Sequence, residues 1–564
     1  MRLTSILFFA VFQLSIGGDG FCQTLEWAKM FGGDYIDRPN TIALDRFGNS
    51  YTTGLFSTTA DFDPGPGVFE ITKEGGYYDC YVSKLNPEGE FVWAKSFSGD
   101  RDCEGYDIEI DLNGNIYIVG EFWGNVDFDP GLDTFNLYNE DLHAGFVVKL
   151  DSAGDFLWAF KLGNGTHLGV RSIDSDENLN IYFTGAFTDS IDLDPGPDSF
   201  MLTDPGYYSD LYACKLDGDG NFIWGKHFLG SRDEFKSNVV VSSGFVYLSG
   251  NFTESIELNP GGSSVLLNSF GAYDMFVSKF DVDGTFVWAK QFGGDSQDVC
   301  TVLEVDSLSN VYAAGQFSDT VDFDPSSNIH NLSSVDEFDI MVFKLDSDGE
   351  LVWCKQMNGG DEFKMAHSLA IGANGSVYVG GYFEGVVDFD PGLADYFVAS
   401  DSSIQTFVVS LSNNGQFEWA FGTGGWALDY GGNKLALDDS ANVYITGYFL
   451  GTADFDPGPN VYPLTSDWYE VYVQKISPPK RYSSVSFQEK NSGNLFPNPT
   501  AGILHLKSGQ TPLEVSVLDL LGKIIYNPIP NGNTIDLSQV PSGTYIVKYT
   551  TDQNSFVQKI QVYH

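Results

Sequence analysis

The side chains best placed for chemistry are acidic pairs two positions apart. Asp61 and Asp63 flank Phe62, and the pattern returns at Asp127 and Asp129, Asp192 and Asp194, Asp322 and Asp324, Asp388 and Asp390, and Asp454 and Asp456. Glu257-Leu258-Asn259 is a weakened further copy. In extended backbone, residues i and i+2 share a face, so each pair sets like charges side by side, a repulsion that a cation relieves. Ca²⁺ takes carboxylate oxygens, which makes these aspartates candidate calcium ligands. The same residues also read as turn chemistry. Proline follows each second acid, glycine usually follows the proline, and an Asx side chain accepts backbone N–H groups while Pro presets φ. The further aspartates of a full calcium loop are missing, so the turn reading comes first.

Other reactive types are sparse or scattered. The histidines are His143, His167, His227, His330, His367, His505 and His564, at no metal-ligand spacing, and no nucleophile elbow or phosphate loop occurs. No catalytic residue is assigned. Cys80, Cys103, Cys214, Cys300 and Cys354 form neither a disulfide framework nor a zinc spacing, and read as buried thiols. The seven arginines share no repeat position. Around His167 and Arg171 the sequence departs most from its own pattern. Lysines recur at Lys84, Lys149, Lys215, Lys279, Lys344 and Lys475, with Ser410 in the remaining place, and are expected to pair with acidic neighbours.

These residues ride on a repeat, which sets the fold. Trp27, Trp93, Trp158, Trp224, Trp288, Trp353 and Trp419 recur at 64 to 66 residues. Tyr51, Tyr117, Tyr182, Tyr247, Tyr312, Tyr378 and Tyr444 run in phase, as do the acidic pairs. Three markers each count seven. The first full unit predicts strand A over Thr41–Asp45, B over Ser50–Phe56, C over Cys80–Leu85 and D over Glu90–Phe97, with tight A–B and C–D turns. Four antiparallel strands at this period predict a propeller blade. Leu25-Glu26-Trp27-Ala28-Lys29 is a strand D without its blade, and the last unit stops after a strand C at Val471–Ile476. The N-terminal strand is therefore expected to close blade seven and remove an exposed edge. The tryptophans are expected to pack between blades. The long B–C and D–A connections share one face, the expected working surface.

Net charge is −48, from 77 acidic and 29 basic residues. Such a surface repels nucleic acid and anionic membranes. Residues 1–22 read as a signal peptide, with Arg2 before an apolar run from Ile6 to Ile16 that is too short to span a bilayer. No other segment reads as membrane-spanning.

The Asp-x-x-Gly-Asn-x-Tyr-x-x-Gly pattern, as in Asp45–Gly54 and Asp111–Gly120, resembles the bacterial seven-bladed propeller repeat family over roughly residues 24–477, within an expected propeller domain of 23–477. Hairpins such as Asp217–Trp224 resemble the Asp-box turns of sialidase-like propellers, with the Gly-to-Trp spacing off by one. A polar linker is expected over 478–494. Residues 495–564 show short strand patterns of a small β-sandwich domain. Phe496-Pro497-Asn498-Pro499-Thr500, Gly502, Val515–Gly522, Gly543–Val547 and Lys559 resemble the type IX secretion C-terminal sorting domain of Bacteroidota. That resemblance implies contact with the type IX machinery, export, removal of the domain, and release or surface attachment. The fold expected is all-β: a seven-bladed β-propeller plus a small sandwich. The function expected is a secreted or cell-surface interaction protein with a glycan or protein ligand. The alternatives are a secreted hydrolase or lyase acting on polysaccharide or peptide, and a structural module stabilised by calcium.

Overall fold

The computed structural model describes residues 23–563 except 164–168, 205–207, 231–234, 260, 361–362, 401–403, 425–433, 480–494, 497–499, 507–512, 519–523, 531, 542 and 551–554. The expected signal peptide, most of the expected linker, and His167 thus lie outside the described residues. Gln23–Pro478 form one compact unit and Pro479–His564 fall in another.

In the larger unit, the first blade places strand A at Arg38–Leu44, B at Ser50–Phe56, C at Asp79–Leu85 and D at Phe91–Gly99, all antiparallel in that order. Strand B is buried along its whole length, because it is covered on both faces by neighbouring blades. The A–B turn closes with Asp45 N–H on Asn49 O, at 3.0 Å, and Gly48 takes φ +80. Gly54 answers a different need. Strand A bulges between Pro39 and Thr41, and a Cβ at position 54 would lie 2.0 Å from the Arg38 carbonyl oxygen. The same bulge recurs opposite Gly120, Gly185, Gly315 and Gly381, which explains the glycine of the repeat.

Among the described residues seven such four-stranded sheets occur. Their innermost strands are Arg38–Leu44, Cys103–Ile110, Gly169–Ser175, Phe235–Ser242, Val299–Val305, Lys364–Ile371 and Lys434–Leu437. Each lies against the next, and the last lies against the first, so the sheets encircle a common axis. The fold is a β-propeller. The seventh sheet takes its fourth strand from the N-terminus: Thr24–Gly33 runs antiparallel to Pro463–Ser477, with Leu25 opposite Ile476 and Phe31 opposite Val471.

Repeated side chains stitch the blades. Each tryptophan of the series meets the series tyrosine of its own blade, as Trp353 meets Tyr312 at 6.2 Å. In Trp27, Trp158, Trp224, Trp288 and Trp353 the indole N–H reaches the C–D turn of the next blade, as in Trp27 to Pro87 O at 2.9 Å, Trp288 to Ser347 O at 3.1 Å and Trp353 to Asn413 O at 2.9 Å. The lysines were expected to pair with acids. Lys84 and Lys475 do so, and the lysines also lie over the tyrosine ring and mostly donate to that same turn: Lys149 to Gly218 O at 2.6 Å, Lys279 to Ser347 O at 3.0 Å. The carboxylate contacts are longer, 3.8 Å for Lys84 to Asp45 and 3.7 Å for Lys475 to Asp438. Blade six carries Ser410 instead because blade seven, closed by a separate chain end, has no C–D turn to receive a lysine.

In the smaller unit, Leu495–Phe496, Ile503–Leu506 and Thr534–Asp536 form one sheet. Glu514–Leu518, Ile524–Tyr526, Gly543–Thr550 and Ser555–Val562 form a second. Leu504, Val517, Ile535, Val547 and Ile560 share one core between them, making a small sandwich. The sequence pattern predicts strands at 503–507, 514–519, 523–526, 543–550 and 556–562, and misses Leu495–Phe496 and Thr534–Asp536.

Candidate functional site

The acidic pairs sit at the seams between blades. In the first blade, Thr59–Asp61 pairs with Glu70–Thr72 as a ribbon, and Gly32 of the preceding strand D pairs with Asp61. Phe62 is buried among Phe31, Phe56 and Tyr81. Asp61 Oδ1 accepts from Asp63 N–H at 3.1 Å and Phe69 N–H at 2.8 Å, and Asp63 Oδ1 accepts from Gly65 N–H at 2.8 Å. The remaining pairs repeat this geometry, as at Asp388, which accepts from Asp390 and Tyr396. In blade four Glu257 reaches the equivalent N–H groups, Asn259 at 2.9 Å and Val265 at 2.8 Å. Among the described residues no group of three or more His, Cys, Asp or Glu side chains stands together as a metal site.

A different set converges where the innermost strands begin, beside the D–A connections. Glu104 and Glu121 are direct cross-strand partners in blade two. Arg38 of blade one bonds Glu104 at 2.6 Å, and Asn40 bonds the same oxygen at 2.8 Å. Arg171 of blade three lies 3.7 Å from Glu121 and stacks on Tyr106, 4.1 Å from the ring centroid. Tyr106 and Arg171 are the bulged residues of their strands, and bulges re-aim side chains. A Cβ at Gly169 would lie 3.0 Å from the Tyr106 ring. His143, entering strand C, lies 3.3 Å from Glu121. The Arg171 side chain is 42% exposed, so the cluster opens to solvent.

Electrostatics tie the cluster together. Burial works against the charge of Glu121, but His143 and Arg171 hold its carboxyl below the ordinary range. The contact with Glu121 raises the His143 imidazole. Burial raises the Tyr106 phenol well above its usual value, with Arg171 opposing. The arrangement presents a guanidinium, a phenol, an imidazole and two carboxylates to one point, which suits hydrogen bonding of a polar ligand. Repeat reasoning missed it because its members occupy non-equivalent positions. The available signal was the breach of pattern at the residue after Tyr-x-x-Gly. That place holds Leu55, Ala186, Asn251, Gln316, Tyr382 and Tyr448 elsewhere, and an acid only at Glu121.

Comparison with known proteins decides the tail. Residues 494–563 match the secretion system C-terminal sorting domain. Residues 26–63 match the beta-propeller repeat family. Among curated proteins, an uncharacterized WD repeat-containing protein of Acanthamoeba polyphaga mimivirus is 23% identical over 428 residues, 63% of this chain and 30% of that one. The regulatory protein FlaEY of Caulobacter vibrioides is 24% identical over 198 residues, 33% of this chain and 20% of that one. The chain thus spans under a third of either relative's length. Solved structures include a subtype N10 neuraminidase-like protein of A/little yellow-shouldered bat/Guatemala/060/2010, with TM-score 0.31, 8% identity and coverage of 81% of this chain and 100% of that one. They also include the extracellular domain of a putative one component system of B. thetaiotaomicron, with TM-score 0.15, 9% identity and coverage of 95% and 99%. Likeness at this level says nothing about a ligand. No helix among the described residues is long and apolar enough to cross a membrane.

Proposed function

We propose that this chain is an exported binding protein. The C-terminal domain addresses it to the type IX machinery, and the long-loop face of the propeller, centred on Glu104, Tyr106, Glu121, His143 and Arg171, takes a polar ligand. One observation carries this. The repeated Asp, Tyr, Trp and Lys side chains largely bond one another or neighbouring turns, while unrepeated charged and aromatic residues gather at one mouth of the ring. Conserving a scaffold while varying its loop-side residues is how binding surfaces are built on rigid folds. The His143–Glu121 contact keeps hydrolysis as the second reading.

The test is a glycan and protein binding screen with the mature chain, repeated with a Glu121→Gln, Arg171→Ala double variant. Hits that the double variant loses support the reading. Hits that it keeps unchanged place binding on another surface, and release of a cleaved product favours the hydrolase. Deleting residues 494–563 should leave the protein in the periplasm, and export without them would contradict the assigned address.

A further inference from the structure

Eight non-glycine residues among those described hold positive φ. Leu179, Ser309 and Ala441 stand where other blades use Gly48 or Gly114, and Asp189, Glu254 and Asp319 where others use Gly124 or Gly385. Ser243 lies in the short A–B turn of blade four. Tyr35, at φ 76, lies in a D–A turn that recurs at Gly293–Asp298, where the equivalent Ser296 does not take positive φ. A bulky residue in this region is strained, and such strain persists where the surroundings over-determine it, commonly at ligand sites. Here they do. Tyr469 N–H bonds Tyr35 O at 3.0 Å, and Asp37 N–H bonds Tyr469 O at 2.8 Å. The buried Asp37 carboxylate accepts from Gly33 and Ser57.

The Tyr35 ring lies against Trp468, a tryptophan outside the repeated series. The rings stack at 4.9 Å with 27° between planes, yet Tyr35 is 58% and Trp468 42% exposed. Tyr35 lies in the D–A connection entering blade one and Trp468 at the irregularity between Ser466 and Glu470 of the blade-seven strand Pro463–Ser477, at its B–C end, so the pair stands on the long-loop face. Asp34 and Asp467 are exposed beside it, and both press on the charge of the neighbouring Glu470.

This geometry selects a ligand class. A quaternary ammonium takes a box of several aromatic faces, and a stacked pair offers one flat platform. The C–H face of a pyranose lies on such a platform, and rim carboxylates accept its hydroxyl protons. Those carboxylates, with a net charge of −48, repel anionic sugars. We propose that the Tyr35–Trp468 stack, edged by Asp34 and Asp467, is a subsite for a neutral oligosaccharide. The assignment rests on the reading that the long-loop face is the binding surface.

The experiment titrates the mature chain by calorimetry with cellohexaose, xylohexaose, mannohexaose and laminarihexaose, and with hexagalacturonate and hexalysine as charged comparators. The variants are Trp468→Ala, Tyr35→Gly and Glu121→Gln. Glycine adopts φ 76 without strain, so Tyr35→Gly should keep or raise the melting temperature while removing the platform. At least one neutral hexasaccharide should bind, with affinity falling tenfold or more in Trp468→Ala and Tyr35→Gly. Binding that survives both platform variants but falls in Glu121→Gln overturns this subsite and leaves the binding face standing. Failure of every neutral sugar to bind, or binding of a charged comparator through Tyr35 and Trp468, overturns it as well.

Discussion

Replacing the first acid of each pair separates turn chemistry from metal binding. Asp61, Asp127, Asp192, Asp322, Asp388 and Asp454 each accept two backbone N–H groups with one carboxylate oxygen, at distances between 2.8 and 3.2 Å. Removing both bonds with alanine costs about 1–2 kcal/mol per site, the scale of a lost cap. Asparagine keeps the accepting oxygen and costs a few tenths. The sites lie in separate blades, so their effects add. Six alanines then cost about 6–12 kcal/mol and six asparagines about 1–3. A unit of this size unfolds with about 1 kcal/mol/K of entropy if the ring melts in one step, so the alanine variant should melt about 6–12 °C lower and the asparagine variant within about 3 °C. Calorimetric melts of both, with EDTA and with added Ca²⁺, decide the matter. If asparagine is as harmful as alanine, and the wild-type midpoint falls with chelator, the carboxylates hold a cation and the turn account is wrong.

Lys279→Met removes a donor to Ser347 O while Trp288 still serves that carbonyl, so it should cost about 1–2 kcal/mol, and denaturant unfolding checks it. Stability should fall as pH rises from about 5 to about 8, because burial lifts Asp79 and Asp298 to about 6, Asp37 and Asp174 to about 7, and Glu304 to about 8. The folded chain holds these protons more tightly than the unfolded chain, so raising pH through that window favours unfolding. A melting temperature higher at pH 8.5 than at pH 5.5 would contradict this.

The blades were legible because each is a local event. Asp45, Gly48 and Asn49 set a tight turn, Gly54 admits a bulge, and Trp93 and Tyr51 mark strands D and B within a single period. Closure was legible from the two split ends. That the lysines also donate to the next blade was not, because a carbonyl there has no sequence signature, whereas abundant acids suggested themselves. Arg38, Glu121, His143 and Arg171 were illegible as a group because bulges and cross-blade proximity bring together positions that the repeat does not equate. Tyr35 drew no notice because its backbone strain exists only in three dimensions.

Ring closure is tested most directly by a cross-link between the chain ends that meet in blade seven. Thr24 and Ser477 are cross-strand partners there, and the cysteines at 80, 103, 214, 300 and 354 are buried and free. In a Thr24→Cys, Ser477→Cys variant, mild oxidation should give one intramolecular disulfide, read by peptide mass spectrometry, and a higher melting temperature. Two thiols that stay free, or that join only between molecules, would contradict a propeller closed by its own N-terminal strand.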